Sequence, residues 1–161
     1  MGKGTGIYLL IYGLTALGVL ALDLYTKSLA EVHLVDKSLT LLPFLHLLLV
    51  YNRGVAFGLF SEAPDFIRLP LLLLTPLLAL ILTLMYTLKS RNYSTALLMG
   101  MVGGGALGNF YDRALLGHVR DFIYLSFGSL SWPAFNLADA SISTAIVLFL
   151  LRGLLDKSGK G

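Results

Sequence analysis

Four apolar runs of membrane-crossing length constrain this chain of 161 residues more than any other feature. They cover about residues 7–30, 69–88, 95–113 and 136–155. A bilayer's hydrocarbon core is about 30 Å thick, so a helix rising roughly 1.5 Å per residue needs about 20 apolar residues to cross it. The first two runs reach that length outright. The apolar cores of the other two, Thr95 to about Tyr111 and Leu137–Leu151, reach it only by taking in polar residues at one end. Lipid offers no water to unpaired N–H and C=O groups, so runs of this kind cross as helices. The expected fold is a membrane all-α bundle of four transmembrane helices in a single domain, 1–161. Residues 31–68 and 114–135 would lie outside on one face. Only 13% of the residues are charged, against roughly 25% in soluble domains. The absence of cysteine removes disulfides, thiol nucleophiles and thiolate metal sites. A net charge of +3 without any Lys/Arg-rich run gives no reason to expect a nucleic-acid partner.

Four spans return both termini to one side. That side carries Lys3, Lys89, Arg91, Arg152, Lys157 and Lys160, and the other carries Lys27, Lys37, Arg53, Arg68, Arg113 and Arg120. The totals tie, but the first group is packed into short tails and one short turn. Eight of the nine acidic residues fall on or near the second side. Density in short segments is what orients a membrane protein, so both termini are expected in the cytoplasm. The first run also has a basic start at Lys3 and small residues at Ser28-Leu29-Ala30, as a cleavable leader would. Its length, and the intrusion of Asp23 and Lys27, favour a retained span.

Outside the spans, Ser38–Tyr51 is too short to cross and is interrupted by Pro43, which suits a strand or interfacial segment. DFIYLSFGSLSW, with Gly128-Ser129 at its centre, reads as a hairpin. Together they predict a small sheet, a cradle on the outer membrane surface with an interfacial loop. Trp132, Tyr124 and Phe127 suit that interface as simple anchors. In the third run Gly100, Gly104 and Gly108 are four apart, which bares one helix face for close packing against a neighbour.

Polar residues gather at the outer ends of the runs: Asp23 and Lys27; Asn109, Asp112 and Arg113; Asp121; and Asn136 with Asp139. Asp23 and Lys27 are four apart and can pair on one helix face. Bland readings exist for most of them. Asp112–Arg113 and Arg120–Asp121 can be solvated interface charges, Asn136 a helix N-cap and Asp23–Lys27 a structural ion pair. Asp139 resists such a reading, because it lies inside an apolar run with no basic residue near it in sequence. HExxH is absent and His33, His46 and His118 are scattered, so no metal site is expected. Ser28 beside Lys27, and Ser129 near His118, lack the setting of a nucleophile and its base. Two carboxylates remain. Crowded into a poorly solvated site they share one proton, and the pair can hydrolyse an amide through general acid and base roles. A small transporter or channel lined by these groups is the competing reading, although such proteins place them near the midplane and often show inverted repeats. A non-catalytic membrane assembly factor is a third.

Five stretches then carry a resemblance: LDLYTK (22–27), YNRGVAFG (51–58), GGALGNFYDR (104–113), GHVRDF (117–122) and PAFNLADAS (133–141). In this order they resemble the motifs of the bacterial lipoprotein signal peptidases, the type II signal peptidases. The resemblance implies a four-helix aspartic peptidase of the bacterial inner membrane with its active site near the outer face. Such an enzyme removes the signal peptide from diacylglyceryl-modified prolipoproteins, cutting just before the lipidated cysteine. By resemblance the catalytic pair falls on Asp121 and Asp139, and supporting residues on Asn109, Asp112, Arg113 and Asn136. Asp23 and Lys27 match the family's first-helix motif, and Asn52 and Gly54 its external-loop motif. Phe57 and the aromatics of 122–132 would close over the site. Lipidated prolipoproteins and membrane lipids are the expected partners, no cofactor is expected, and the protein is expected to be a monomer.

Overall fold

A computed structural model of the protein describes residues 4–54, 60 and 62–158. Four helices and four strands follow one another as α1 (Thr5–His33), β1 (Ser38–Leu42), β2 (Leu45–Asn52), α2 (Asp65–Ser90), α3 (Tyr93–Leu116), β3 (Val119–Phe127), β4 (Leu130–Phe135) and α4 (Leu137–Ser158). Each helix extends beyond the run that announced it at one end or both, α4 beginning at Leu137 but ending at Ser158. Three helices, α1, α2 and residues 137–156 of α4, are long and apolar enough to cross a membrane. Their outward faces carry exposed Leu14, Leu17, Leu74, Leu78, Leu150 and Leu154, a surface suited to lipid. With 24 residues α3 has the length, but it is the central helix and packs against the other three. Its buried side chains are mostly small or polar, Gly100, Gly104, Gly108, Asn109 and Asp112 among them. A helix covered by its neighbours has no need of a greasy exterior.

The glycine spacing acts as the sequence suggested. A Cβ on Gly104 would stand 2.5 Å from the Ala16 carbonyl oxygen and 2.8 Å from the Val19 Cβ, and one on Gly100 would stand 2.8 Å from the Tyr12 carbonyl oxygen. These are contacts of α3 with α1. Gly105 gives the same approach to α4, where a Cβ would meet the Ala138 oxygen at 2.6 Å. Gly104→Ala is therefore expected to destabilise the fold by about 1–3 kcal/mol through overpacking. Thermal unfolding in detergent reads this directly. Gly13→Ala is the control, since a Cβ at Gly13 meets nothing within 4 Å.

The strands form one antiparallel sheet in the order β1-β2-β3-β4. Pro43-Phe44 turns β1 into β2, and Gly128, with φ 61°, turns β3 into β4. A left-handed residue of this kind favours glycine. Three register shifts shape the sheet, the first in β1 between Thr40 and Leu42. Leu47 faces Ile123 while Val50 faces Asp121, so β2 carries an extra residue beside Asp121. The register shifts again where Ile123 faces Phe135 and Leu125 faces Trp132, which places Pro133 at a bulge and not in the regular ladder. Ala30 and Leu34 at the end of α1 pack with Phe122, Leu47 and Leu49 and fasten the sheet to the bundle. At the opposite end the Tyr8 ring lies 5.1 Å from Tyr93, and Arg152 donates to the Thr95 hydroxyl at 2.8 Å. The two ends of the chain thus approach one end of the bundle, and the sheet occupies the other.

Candidate active site

Strand alternation sorts the residues of VRDF onto two faces. Val119, Asp121 and Leu125 line a cavity of about 380 Å³. Arg120 and Phe122 turn the other way, toward α1. Adjacent Arg120 and Asp121 are consequently not an ion pair, and both are buried. The helical pair Asp112–Arg113 splits similarly. Asp112 is held from the side of α1 and β3, whereas Arg113 lines the cavity and donates to the Gly54 carbonyl at 3.3 Å. The bland reading as solvated interface charges does not hold for Asp112, Arg120 and Asp121, all at or below 5% exposure; Arg113 is half-buried.

The charges re-pair across the fold. Arg120 grips Asp112 through its backbone N–H, Nε and Nη2 at 3.0, 3.1 and 2.8 Å, and reaches Glu31 through Nη1 at 3.0 Å. Lys27, wholly buried, pairs with Asp23 at 2.6 Å and Asp112 at 3.3 Å. Its Nζ also donates to the Gly108 carbonyl and to Asn109 Oδ1, both at 3.3 Å. Asp23 Oδ1 accepts the Ala138 N–H at 2.8 Å, so the first-helix motif caps the N-terminus of α4. Arg120 and Glu31 are members of this network that the sequence alone did not single out as site residues. Arg120 was visible inside the quoted VRDF stretch, but nothing in one dimension pairs it with residue 31.

Asn136 is the N-cap of α4. Its Oδ1 accepts the Asp139 N–H at 2.9 Å, while its own N–H donates to Asp139 Oδ2 at 3.2 Å, a reciprocal capping box. Asn136 Nδ2 donates to Asp121 Oδ1 at 2.9 Å and to Asn109 Oδ1 at 3.0 Å. Because Asn109 Oδ1 takes donors from both Lys27 and Asn136, its Nδ2 is left for Asp139 Oδ1 at 2.8 Å. One amide chain thus joins the two aspartates. Asn52 adds a third amide: its Oδ1 accepts the Gly54 N–H at 2.9 Å, and the side chain bonds Asp121. Burial pushes the Asp121 carboxyl up to about 7, and the Asp139 charge acts in the same direction. The Asn52 hydrogen bond and the Lys27 and Arg113 charges pull the other way.

Asn52, Asn109, Arg113, Asp121 and Asp139 therefore line one cavity, with Asn136 bridging behind them. Asp23, Lys27 and Asp112 form the layer beneath, and Gly54 anchors Arg113 and Asn52. Phe57 lies outside the described residues; Trp132 lines the cavity wall. The imagined serine–base pairs do not form. Ser28 Oγ donates to the Leu24 carbonyl, and Ser129 and His118 sit at opposite ends of β3. His46 is a strand residue bonded to Thr40 and Ser126 at 3.0 and 3.1 Å. No cluster able to hold a metal ion occurs among the described residues.

Comparison with known proteins converges on one family. The family model described as Signal peptidase (SPase) II matches residues 15–155. The lipoprotein signal peptidase of Aquifex aeolicus (strain VF5) is 54% identical over 147 residues, covering 91% of this chain and 87% of that protein. That of Sulfurihydrogenibium sp. (strain YO3AOP1) is 44% identical over 145 residues, covering 85% and 89%. Among solved structures, a bacterial membrane enzyme determined by the in meso method at 2.3 Å resolution superposes with a TM-score of 0.80 at 29% identity, over 97% of this chain and 92% of that one. With that extent of match, the chain belongs to the signal peptidase II family, a family of peptidases, and carries the family's membrane-spanning helices.

Proposed function

We propose that this protein is an intramembrane aspartic endopeptidase that removes the signal peptide from diacylglyceryl-modified prolipoproteins, cutting just before the lipidated cysteine. The observation that carries the reading is the pair Asp121 and Asp139, brought from β3 and α4 to one cavity, one of them retaining a proton to about neutral pH. In this reading the chain is a single domain, α3 is the fourth span, and both termini are cytoplasmic in the bacterial inner membrane. The sheet lies at the outer face, and the enzyme acts as a monomer without cofactor or metal.

The roles follow from the surroundings of each group. Asp139 receives N–H donors from Asn109 and from the Asn136 backbone in the first turn of α4, where the helix dipole favours an anion. Asp121 is the buried partner and holds the proton the pair shares. Asp139 takes a proton from the attacking water while Asp121 gives its proton to the scissile carbonyl oxygen, forming a gem-diol. Asp139 then passes its proton to the leaving nitrogen as the C–N bond breaks, and Asp121 takes one back from a diol hydroxyl. Asn109, Asn136 and Asn52 fix the carboxylates without adding charge. Arg113 lines the cavity beside the pair and is the cation positioned to donate to the substrate's backbone. Asp23, Lys27 and Asp112 hold this layer in place, and Gly54 positions Arg113. The apolar wall formed by Leu125, Pro133 and Ile142 suits an acyl chain.

The test is cleavage of a synthetic dipalmitoylated prolipoprotein by the purified protein in lipid, with product masses measured. A product beginning at the lipidated cysteine, formed equally in the presence of chelators, is expected. The Asp121 carboxyl stays protonated, and able to donate, until the pH rises through about 7. Cleavage should accordingly fall on the alkaline side, by roughly tenfold per pH unit once that proton is lost. A profile flat across this range removes Asp121 as the acid.

A further inference from the structure

The cavity continues beyond the aspartates. From Asp139 it follows α4 past Ala140 and Ile142 to Ser143 and Thr144. Ser143 stands one turn along from Asp139 and Thr144 one turn along from Ala140, about 6 Å further down the helix axis. Since α4 begins at the sheet, this direction leads away from the sheet and into the apolar part of the helix. Both residues are exposed, and from there to Arg152 the helix carries only apolar side chains.

Hydroxyls in apolar helices ordinarily bond back to a carbonyl one turn earlier. Thr75, Thr83 and Thr87 do so here, to the Leu71, Ala79 and Thr83 carbonyls at 2.6, 2.8 and 2.8 Å. Ser143 and Thr144 make no such bond among the described residues. Two uncommitted hydroxyls thus face a cavity that leads to the candidate catalytic pair, in a stretch otherwise suited to lipid.

Resting on the peptidase reading above, we propose that Ser143 and Thr144 bind the unwound backbone of the signal peptide on the N-terminal side of the scissile bond. A helical signal segment keeps its carbonyls inside its own hydrogen bonds, so the scissile carbonyl is reachable only where the helix has opened. Opened backbone at membrane depth is tolerated only where it lines a cavity that supplies partners. The apolar part of a signal peptide precedes its cleavage site, so the opened residues nearest the hydrocarbon lie just before the cut. A hydroxyl both donates and accepts, and two of them, one turn below Asp139, meet that need where the apolar cavity wall does not.

The test is a cycle between enzyme and substrate. Ser143→Ala/Thr144→Val, a nearly isosteric change on an exposed face, is assayed on the dipalmitoylated prolipoprotein and on versions in which single amides before the scissile bond are replaced by esters. An ester removes the N–H and weakens the carbonyl as an acceptor. The double variant is expected to lose about tenfold in kcat/KM on the all-amide substrate, with an unchanged pH profile. One ester position should cost the wild type a similar factor and the variant little more. A double variant within two-fold of wild type overturns the proposal. So do losses that multiply at every ester position, or a displaced pH profile, which would trace the effect to the aspartates. Failure of the wild-type protein to cleave the all-amide substrate removes the peptidase reading itself, a separate result.

Discussion

Asp121→Asn and Asp139→Asn are each expected to lower prolipoprotein cleavage by about 10²–10⁴-fold, the usual contribution of a positioned acid or base. Both changes preserve side-chain volume while abolishing proton exchange. Their structural consequences should differ. At residue 121 the surviving amide oxygen can still accept from Asn136 Nδ2, now at 2.9 Å from Oδ1, and a carboxyl that burial disfavours as an anion is replaced by a neutral group. The Asn52 hydrogen bond to this carboxyl is weakened at the same time, so stability should stay within about 1 kcal/mol of wild type. At residue 139 both carboxylate oxygens are used, one by Asn109 Nδ2 and one by the Asn136 N–H. An amide retains one acceptor and turns an NH2 toward the other donor, so the cap of α4 weakens by about 1 kcal/mol. Cleavage rates measured beside thermal unfolding separate these effects. Cleavage within a few-fold of wild type in either variant removes that residue from the mechanism.

Asp112→Ala is expected to be the most destabilising single change in the layer beneath the pair, by about 3–5 kcal/mol. Asp112 is wholly buried and takes three donors from Arg120 as well as the charge of Lys27. Its removal leaves Glu31 as the one carboxylate on Arg120 and Asp23 as the one carboxylate on Lys27 among the described residues, inside a poorly solvated layer. A buried ion pair adds little net stability when intact, but removing one partner strands the other charge. Unfolding in detergent at low and high salt checks the origin: a buried network should respond little to salt, unlike surface pairs. A loss below about 1 kcal/mol would show that water already reaches these charges.

Much of this architecture was legible in one dimension. Apolar length announced the helices, and Pro43 and Gly128-Ser129 marked turns that exist. The Gly100, Gly104 and Gly108 spacing foretold close packing against a neighbouring helix, because a period of four places small residues on one helix face whatever surrounds them; that the neighbour is α1 came from the structure. Helix ends were read too short. The third span, expected over 95–113, runs Tyr93–Leu116, because a helix continues past its apolar run until a residue such as Gly117, left-handed at φ 74°, stops it. The gathering of Asp23, Lys27, Asn109, Asp112, Asn136 and Asp139 at one level was also legible, since alternating spans bring the C-terminal ends of the first and third and the N-terminal end of the fourth to the same side.

Pairing within that level was not. Neighbours in sequence, Asp112 with Arg113 and Arg120 with Asp121, could be read as solvated interface charges. The structure uses Asp112 with Arg120, and Arg120 with Glu31, 89 residues away. Strand alternation and the helical turn point adjacent side chains in different directions, and only the docking of β3 against α1 and α3 decides which charges meet. The same holds for the amide chain from Lys27 through Asn109 to Asp139, whose orientation depends on donors from three helices. By itself the sequence determined a membrane-spanning helical chain with polar groups concentrated at one end, because burial in lipid is a property of composition and length. Tertiary structure decided that Asp121 and Asp139 share a cavity and that the remaining charges neutralise one another behind it, because contact between distant segments is set by packing geometry that no local pattern encodes.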